Sequence, residues 1–469
     1  MDHSTIAAIA TPSGSGGVGI IKISGPDALN AVANIFCPGR FDKGTTPVSV
    51  KDPSFFSPWK IHYGHIVDPS ENRVYDEVIV AVMPAPKSYT REDVVEIQAH
   101  GGTIILERIM SLLLHTGIRT AQPGEFTRRA FLNGRIDLAQ AEAVIDLINA
   151  RCDAAIDIAF EQASGSLSAS IETIRSGITG LLASIEAMVD FPEAMEEEID
   201  TGSMIHAIAG TMIHPVMDLV SAYEESRSLR DGFRVVIAGA PNVGKSSLLN
   251  RISGCERAIV TEHPGTTRDY IETLFHSGGI PITLVDTAGL RMDPDPVEKI
   301  GIEKARMHIR EADLVLHVLD ASRPVSDDDR SFFEQYPDKV IFIVRNKIDM
   351  AKGAVAPSLS PGMDRAVVLE TSAKYNQGIE ALKQKIAHAA RQLQGSKTVK
   401  PVPNFRHKAL LLEAKEALSQ AIENLENHGP PELVSIDLRQ AHDRLGEITG
   451  CTASPEVLDE IFSRYCIGK

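Results

Sequence analysis

Hydrophobic and polar positions recur in two different rhythms along the chain, and the change of rhythm marks its organisation. Up to about residue 118, short β-rich runs such as "IIKIS" and "EVIVAVM" lie between Gly and Pro. "GGTIILERIMSLLLHTG" instead repeats its apolar residues at helical spacing and stops at Gly117. This predicts an α+β domain over residues 1–118. From "PGEFTRRAFLNGRIDLAQAEAVIDLINAR" to about Arg230 the helical period runs almost unbroken, which predicts the first part of a helical domain over 119–230. At Phe233 the character changes again. "FRVVIAG" is a continuous apolar run, and "ITLVDTAG", "DLVLHVLD" and "KVIFIVRNKID" follow it at regular intervals. Strands apolar on both faces and separated by helices predict a parallel α/β sheet, here over 231–395. Helical periodicity returns over 396–469. The fold class expected is multidomain α/β. It combines an α+β N-terminal domain, an all-α helical domain, and a Ras-like α/β domain inserted into the helical one, since domain termini lie close enough for insertion.

Composition narrows the classes. A chain of 469 residues exceeds one core, so two to four domains are expected. Lys and Arg number 47 against 63 Asp and Glu, a net charge of −16. Such a chain has no global attraction for nucleic acid, so any RNA contact is local or supplied by a partner. The acidic run from Glu196 reads as a solvated helix end. Five scattered cysteines without a CxxC pair argue for a reducing compartment and against a disulfide frame or zinc site. No run approaches the length of a membrane span, and "MDHSTIAAIATPSG" lacks the features of a signal peptide. A cytoplasmic protein with no membrane partner is expected.

Two glycine motifs stand out. Gly14-x-Gly16-x-x-Gly19 fits the dinucleotide pattern, but strand-like "IIKIS" follows it where that pattern needs a helix. It reads as a turn between strands. "GAPNVGKSS" follows the strand "RVVIAG" and opens the helix "SSLLNRIS". There the glycines let several N–H groups face one phosphate, and the helix N-terminus adds partial positive charge. Lys245 can reach the β- and γ-phosphates and Ser246 can ligate Mg2+. "PGTTRD" offers Thr267 as a second Mg2+ ligand, "DTAG" offers Asp286 on the Mg2+ side, and the Gly289 N–H can sense the γ-phosphate. In "NKID", Asp349 can accept hydrogen bonds from guanine N1–H and the 2-amino group, a donor edge adenine lacks. "TSAK" supplies a backbone N–H near Ala373 for guanine O6. The candidate GTP set is therefore Asn242, Val243, Gly244, Lys245, Ser246, Ser247, Thr261, Thr266, Thr267, Asp286, Thr287, Ala288, Gly289, Asn346, Lys347, Asp349, Ser372, Ala373 and Lys374.

The residue after "DTAG" is Leu290, where many small GTPases carry a water-orienting glutamine. Something else must stabilise the transition state. The domain resembles translation-factor-related GTPases that use a monovalent cation. Asn242 offers a side-chain oxygen suited to K+, although it also fits an ordinary turn residue. Thr261, His263 and Thr266 are the candidates to complete that coordination.

Over essentially its whole length the chain resembles the MnmE (TrmE) family of tRNA-modification GTPases. "TPSGSGGVGIIKISG", "EDVVEIQAHGG", "PGEFTRRAFLNGRIDLAQAEAV", "DFPE", the nucleotide motifs and the terminal "CIGK" carry the resemblance. It implies a homodimer formed through the N-terminal domain. It implies G domains that associate in a K+- and GTP-dependent way. It also implies an FAD-containing partner, MnmG (GidA), in a heterotetramer or larger complex. Together these would add an aminomethyl or carboxymethylaminomethyl group at C5 of the tRNA wobble uridine. The one-carbon donor would be 5-formyl- or 5,10-methylene-tetrahydrofolate, bound by the N-terminal domain. By the same resemblance Glu298 organises the catalytic water, and Arg268 and Asp269 couple the G domains. Glu96 would sit near the pterin, with Lys22 and Arg135 at basic positions of the folate site.

The end "SRYCIGK" admits a lipidation box, a frayed end or a working part. As a prenylation signal it is poor, with glycine at an aliphatic position. The resemblance implies that the tail brings Cys466 and the Lys469 terminus to the folate pocket, with Cys466 a candidate catalytic thiol. A GTPase that assembles RNA is the main rival, and it predicts basic or aromatic-rich flanks. Aromatics are only 5% here and the flanks are acidic.

Overall fold

A computed structural model describes residues 4–12, 14–40, 48–150, 152–190, 201–230, 232–254, 271–277, 280–286, 306–351, 366–392 and 401–469. They divide into two compact units. One holds Met1–Ile145, Gln162–Val216 and Ala409–Lys469, and the other Asp146–Glu161 and Met217–Lys408.

In the first unit seven strands form one sheet: β1 (Ile6–Ile9), β2 (Gly16–Ser24), β3 (Phe36–Pro38), β4 (Ile61–Asp68), β5 (Arg73–Met83), β6 (Val94–Gly101) and β7 (Arg119–Thr120). Their order is β3-β4-β5-β6-β2-β1-β7, antiparallel except for the β1–β7 pair. Alternation gives the sheet two unlike faces. Ile21, Ile23, Val78, Val80, Val82, Val95 and Ile97 pack with Ile109 and Leu113 of the helix Thr103–His115. The intervening residues Lys22 and Glu96 belong to the other face. Of the Gly14–Gly19 stretch, Gly14 precedes β2, whereas Gly16–Gly19, expected in a turn, already pair within that strand across a register shift, and no helix follows.

The rest of this unit is helical. The long helix Ser166–Asp190 packs against Pro431–Thr449, more than 240 residues further on. Ile171, Ile174, Ile178 and Ile185 of the first helix and Leu438, Ala441, Leu445 and Ile448 of the second are buried. Arg175 Nη2 lies 3.2 Å from His442 Nε2, and Arg439 pairs with Glu186. Chain segments on either side of the α/β domain thus share one helical core, and the insertion inferred from periodicity holds. Among the described residues, one helical stretch, Thr201–Ser226, reaches the length and apolarity of a membrane span. It does so marginally, at a mean hydropathy of 1.2, and His206, His214 and Asp218 lie along it.

The second unit contains a six-stranded sheet: β8 (Phe233–Ala238), β9 (Ile271–Ser277), β10 (Ile280–Asp286), β11 (Leu314–Asp320), β12 (Ile341–Asn346) and β13 (Val367–Glu370). The order is β13-β12-β11-β8-β10-β9, with only β9 antiparallel to its neighbour. Apolar residues fill both faces. Val235, Ile237, Leu316 and Val344 pack under the helices Lys245–Ser253 and Ile379–Gln392, while Val236, Val315 and Ile343 pack with Phe333 of Asp327–Gln335. β11 is buried at every position, which explains its unbroken apolar sequence. In such a doubly wound sheet, ligands bind beyond the carboxyl ends of the strands.

Candidate functional site

The P-loop leaves β8 at Gly239 and enters the helix at Lys245. Gly239 has φ +137°, and a Cβ there would lie 2.4 Å from the Val318 carbonyl oxygen, so no side chain fits. Asn242 is held at φ +64°, and Gly244 precedes the helix at φ +99°. The Lys245 ammonium is buried and donates to the Gly239 and Ala240 carbonyls at 2.9 and 2.8 Å, so a phosphate must compete with the loop's own oxygens. Ser246 stands in the first turn of that helix, where its hydroxyl is suited to Mg2+.

Across the cavity, Asn346 ends β12 and is 1% exposed. Its Nδ2 donates to the Val243 carbonyl at 3.0 Å, and its Oδ1 accepts from the Ala373 N–H at 3.1 Å and the Thr371 hydroxyl at 3.3 Å. One side chain therefore ties the P-loop to the "TSAK" loop. The Ala373 N–H, expected to face guanine O6, already has this partner, so an approaching carbonyl must share it. Ser372 Oγ donates to Asp349 Oδ1 at 2.6 Å and orients the carboxylate that would read guanine. Lys347, also left-handed at φ +64°, donates to the Asn242 carbonyl at 2.6 Å and to Asp320 Oδ2 at 2.8 Å. Gly244, Ser247, Asn346, Lys347, Asp349, Ala373 and Lys374 line a cavity of about 660 Å³.

Two contributors escaped the sequence reading. Arg251, in the last turn of the P-loop helix, donates to the Ala373 and Lys374 carbonyls at 2.9 and 3.2 Å. Asp320, the last residue of β11, holds Lys347. The only available signal for Asp320 was a carboxylate closing an apolar run. Thr261, His263, Thr266, Thr267, Arg268, Asp269, Thr287, Ala288, Gly289 and Glu298 lie outside the described residues. Asp286 is placed at the carboxyl end of β10, beside the P-loop strand.

A second cluster forms in the other unit. Lys22 and Glu96 are cross-strand partners on β2 and β6, and their Nζ and Oε1 are 3.8 Å apart. The Lys22 ammonium lies 5.5 Å from the Tyr89 ring centre and 5.7 Å from that of Phe126. The Arg135 guanidinium stacks 4.7 Å from the same Tyr89 ring. Burial pushes the Lys22 pKa below its ordinary value. Glu96 opposes that shift, while the charges of Lys469 and Arg135 reinforce it.

The tail supplies Lys469. Ile461, Phe462 and Tyr465 are buried, and the Tyr465 hydroxyl donates to the Ala141 carbonyl. The chain then crosses the start of the helix Glu125–Leu132, where the Phe126 N–H donates to the Lys469 oxygen at 3.2 Å. An acceptor oxygen there satisfies one of the N–H groups that a helix N-terminus leaves without an intrahelical partner. Gly468 makes the approach possible: it has φ +95°, and a Cβ would lie 2.9 Å from the Ile9 carbonyl oxygen. Cys466 is exposed. Beneath the cluster Arg129 is buried and joins Glu92 and Glu125, each at 3.0 Å, and it donates to the Ser4 carbonyl at 2.8 Å. That network was not foreseen from the sequence.

A phosphate-binding loop and a guanine-reading loop, stapled together at the carboxyl edge of a parallel sheet, define a P-loop GTPase. Comparison with known proteins narrows the class. A family model described as the MnmE helical domain matches residues 138–466, and one described as the GTP-binding protein TrmE N-terminus matches residues 5–135. The tRNA modification GTPase MnmE of Carboxydothermus hydrogenoformans is 45% identical over 473 residues, covering 100% of both chains. That of Acetivibrio thermocellus is 45% identical over 468 residues, 99% of each, and that of Lactiplantibacillus plantarum 43% over 470 residues, 100% of this chain and 99% of that one. Among solved structures, the G domain of the T. maritima FeoB iron transporter shares 29% identity over 34% of this chain and 98% of that one, at a TM-score of 0.26, too low to add to the sequence relationship. The chain belongs to the MnmE/TrmE family of tRNA-modification GTPases and is a GTP hydrolase.

Proposed function

We propose that this GTPase fires in the presence of K+ and Mg2+ and acts in the cytoplasm with an FAD-containing MnmG (GidA) partner and a tetrahydrofolate one-carbon donor. GTP hydrolysis would be coupled to modification of the tRNA wobble uridine in a homodimer, a reading that family membership supports. The group added would be aminomethyl or carboxymethylaminomethyl at C5.

The observation that carries the folate reading is the meeting of Lys22, Tyr89, Glu96 and Arg135 with Lys469 in one cluster. Glu96 can accept from the amino and ring N–H groups of a pterin, and Tyr89 offers a flat face. Lys22, Arg135 and Lys469 supply positive charge for a polyanionic tail. A bound folate would supply the one-carbon unit at the position where Cys466 leaves the helical core. The Lys469 oxygen, accepting from the Phe126 N–H of the helix Glu125–Leu132, keeps the tail in place.

In the nucleotide site Lys245 neutralises phosphate charge, Asp349 selects guanine, and Asn346 keeps the two loops in register. Ser246 and Thr267 would hold Mg2+. Asn242, with Thr261, His263 and Thr266, would hold K+, which would neutralise developing phosphate charge in a site where Leu290 cannot orient water. Glu298 would order the water, and Arg268 and Asp269 would couple paired G domains. GTP turnover in K+ and in Na+, alone and with the flavoprotein, tests this. Strong stimulation by K+ is expected, and equal rates in the two salts would refute the cation mechanism.

A further inference from the structure

Asp320 closes β11 with its side chain 6% exposed. Its Oδ1 is fixed by the Ser322 N–H at 3.0 Å and the Ser322 hydroxyl at 2.6 Å, which leaves Oδ2 aimed at the Lys347 ammonium 2.8 Å away. The same ammonium donates to the Asn242 carbonyl at 2.6 Å. Lys347 and Asn242 both have left-handed backbone; asparagine adopts it readily, whereas at a lysine it is uncommon and points to local constraint. Burial would raise the Asp320 pKa, but the Lys347 and Ser322 donors outweigh it and hold the carboxyl below its ordinary value, ionised at neutral pH. The one other cation near Oδ2 among the described residues, Arg323, stands 4.0 Å away and is 72% exposed.

We propose that Asp320 is a positioning residue of the nucleotide site, whose carboxylate clamps Lys347 onto the Asn242 carbonyl and so sets the P-loop geometry around Asn242. A carboxylate on one strand end thereby reaches the phosphate loop of another through a single ammonium. Without its charge the ammonium keeps only a neutral carbonyl, and the Asn242 carbonyl loses the charged anchor on β11 that fixes its donor. The consequence for the alkali ion rests on the K+ reading given above. The consequence for nucleotide affinity does not.

The test uses the full chain with Asp320→Asn, Asp320→Glu, Arg323→Ala, Lys347→Ala and the double variant Asp320→Asn with Lys347→Ala. GDP affinity is read with a fluorescent analogue, together with the K+ concentration for half-maximal GTP hydrolysis and the melting temperature. Loss of a charge-assisted contact predicts roughly tenfold weaker GDP binding for Asp320→Asn, and a raised K+ midpoint. Asp320→Glu should recover part of both, and Arg323→Ala should match wild type. In the Lys347→Ala background, Asp320→Asn should add nothing. GDP binding within twofold of wild type in Asp320→Asn would overturn the proposal. So would an undiminished Asp320→Asn effect in the Lys347→Ala background, or an Arg323→Ala variant as weak as Asp320→Asn. Should Asp320→Asn fail to fold, Asp320→Glu decides by the same GDP readout. A wild-type enzyme indifferent to K+ would remove the cation reading alone, because the GDP titrations and the double-variant comparison still judge the clamp.

Discussion

Replacing Asn346 by Ala removes a buried side chain that joins the phosphate loop to the guanine loop. Three hydrogen bonds disappear: to the Val243 carbonyl, from the Ala373 N–H and from the Thr371 hydroxyl. Asn346 is 1% exposed, so water cannot simply take its place. At a net value of about 1 kcal/mol per bond, the change costs about 3 kcal/mol. The freed groups flank the nucleotide cavity, so most of that cost falls on the bound geometry, and GDP affinity should drop about a hundredfold. Titration of the full chain with a fluorescent GDP analogue measures it, beside a thermal melt that should show a shift of the α/β unit. Asn346→Ala binding GDP within threefold of wild type would refute the stapling argument. An equal loss in both experiments for Thr371→Ala, which removes only the longest of the three bonds, would also refute it.

Other outcomes follow from the same geometry. Gly239→Ala should abolish nucleotide binding, because its Cβ would meet the Val318 carbonyl at 2.4 Å in a backbone reserved for glycine, a strain on the order of 2 kcal/mol or more; nucleotide titration and a melt check it. Burial would raise the Glu125 pKa, but hydrogen bonds from Arg119, Gln122 N–H and Arg129 outweigh it and leave it lowered. Its stabilisation is therefore present above the ordinary carboxylate pKa and is lost as pH falls through the depressed value. The melting temperature of wild type should fall on acidification over that range, and Glu125→Gln should be less stable at neutral pH with a flatter acid limb. Deleting Gly468 and Lys469 should weaken tetrahydrofolate binding while leaving GTP hydrolysis by the isolated protein unchanged; unchanged folate titration would remove the tail from the site. Cys466→Ser should lower tRNA modification with normal GTP turnover, and full modification would end its candidacy as a nucleophile.

The nucleotide half of the molecule was legible in the sequence because its chemistry is local. A glycine needed at a forbidden backbone angle, a lysine and serine opening a helix, and polar residues closing apolar runs all sit within a few positions of one another. Fully buried strands announce themselves as unbroken apolar stretches, and "DLVLHVLD" became β11 for that reason. Periodicity likewise separated the helical segments from the inserted sheet. It could not show that Ser166–Asp190 would pack on Pro431–Thr449, since complementary faces leave no mark on each other's spacing. Nor could it show that the Ala373 N–H would be taken by Asn346.

Sequence alone determined which elements form and which loops follow the carboxyl ends of the buried strands, because backbone sterics and strand-end chemistry act over short stretches of chain. Tertiary structure alone decided that Lys22 and Glu96 stand opposite each other through the β2–β6 register, and that Lys469 returns to them from the far end of the chain. It also decided that Asp320 reaches the P-loop through Lys347. Those contacts arise from strand order and helix docking, where the energy of the whole core, rather than any local preference, brings distant residues to one point.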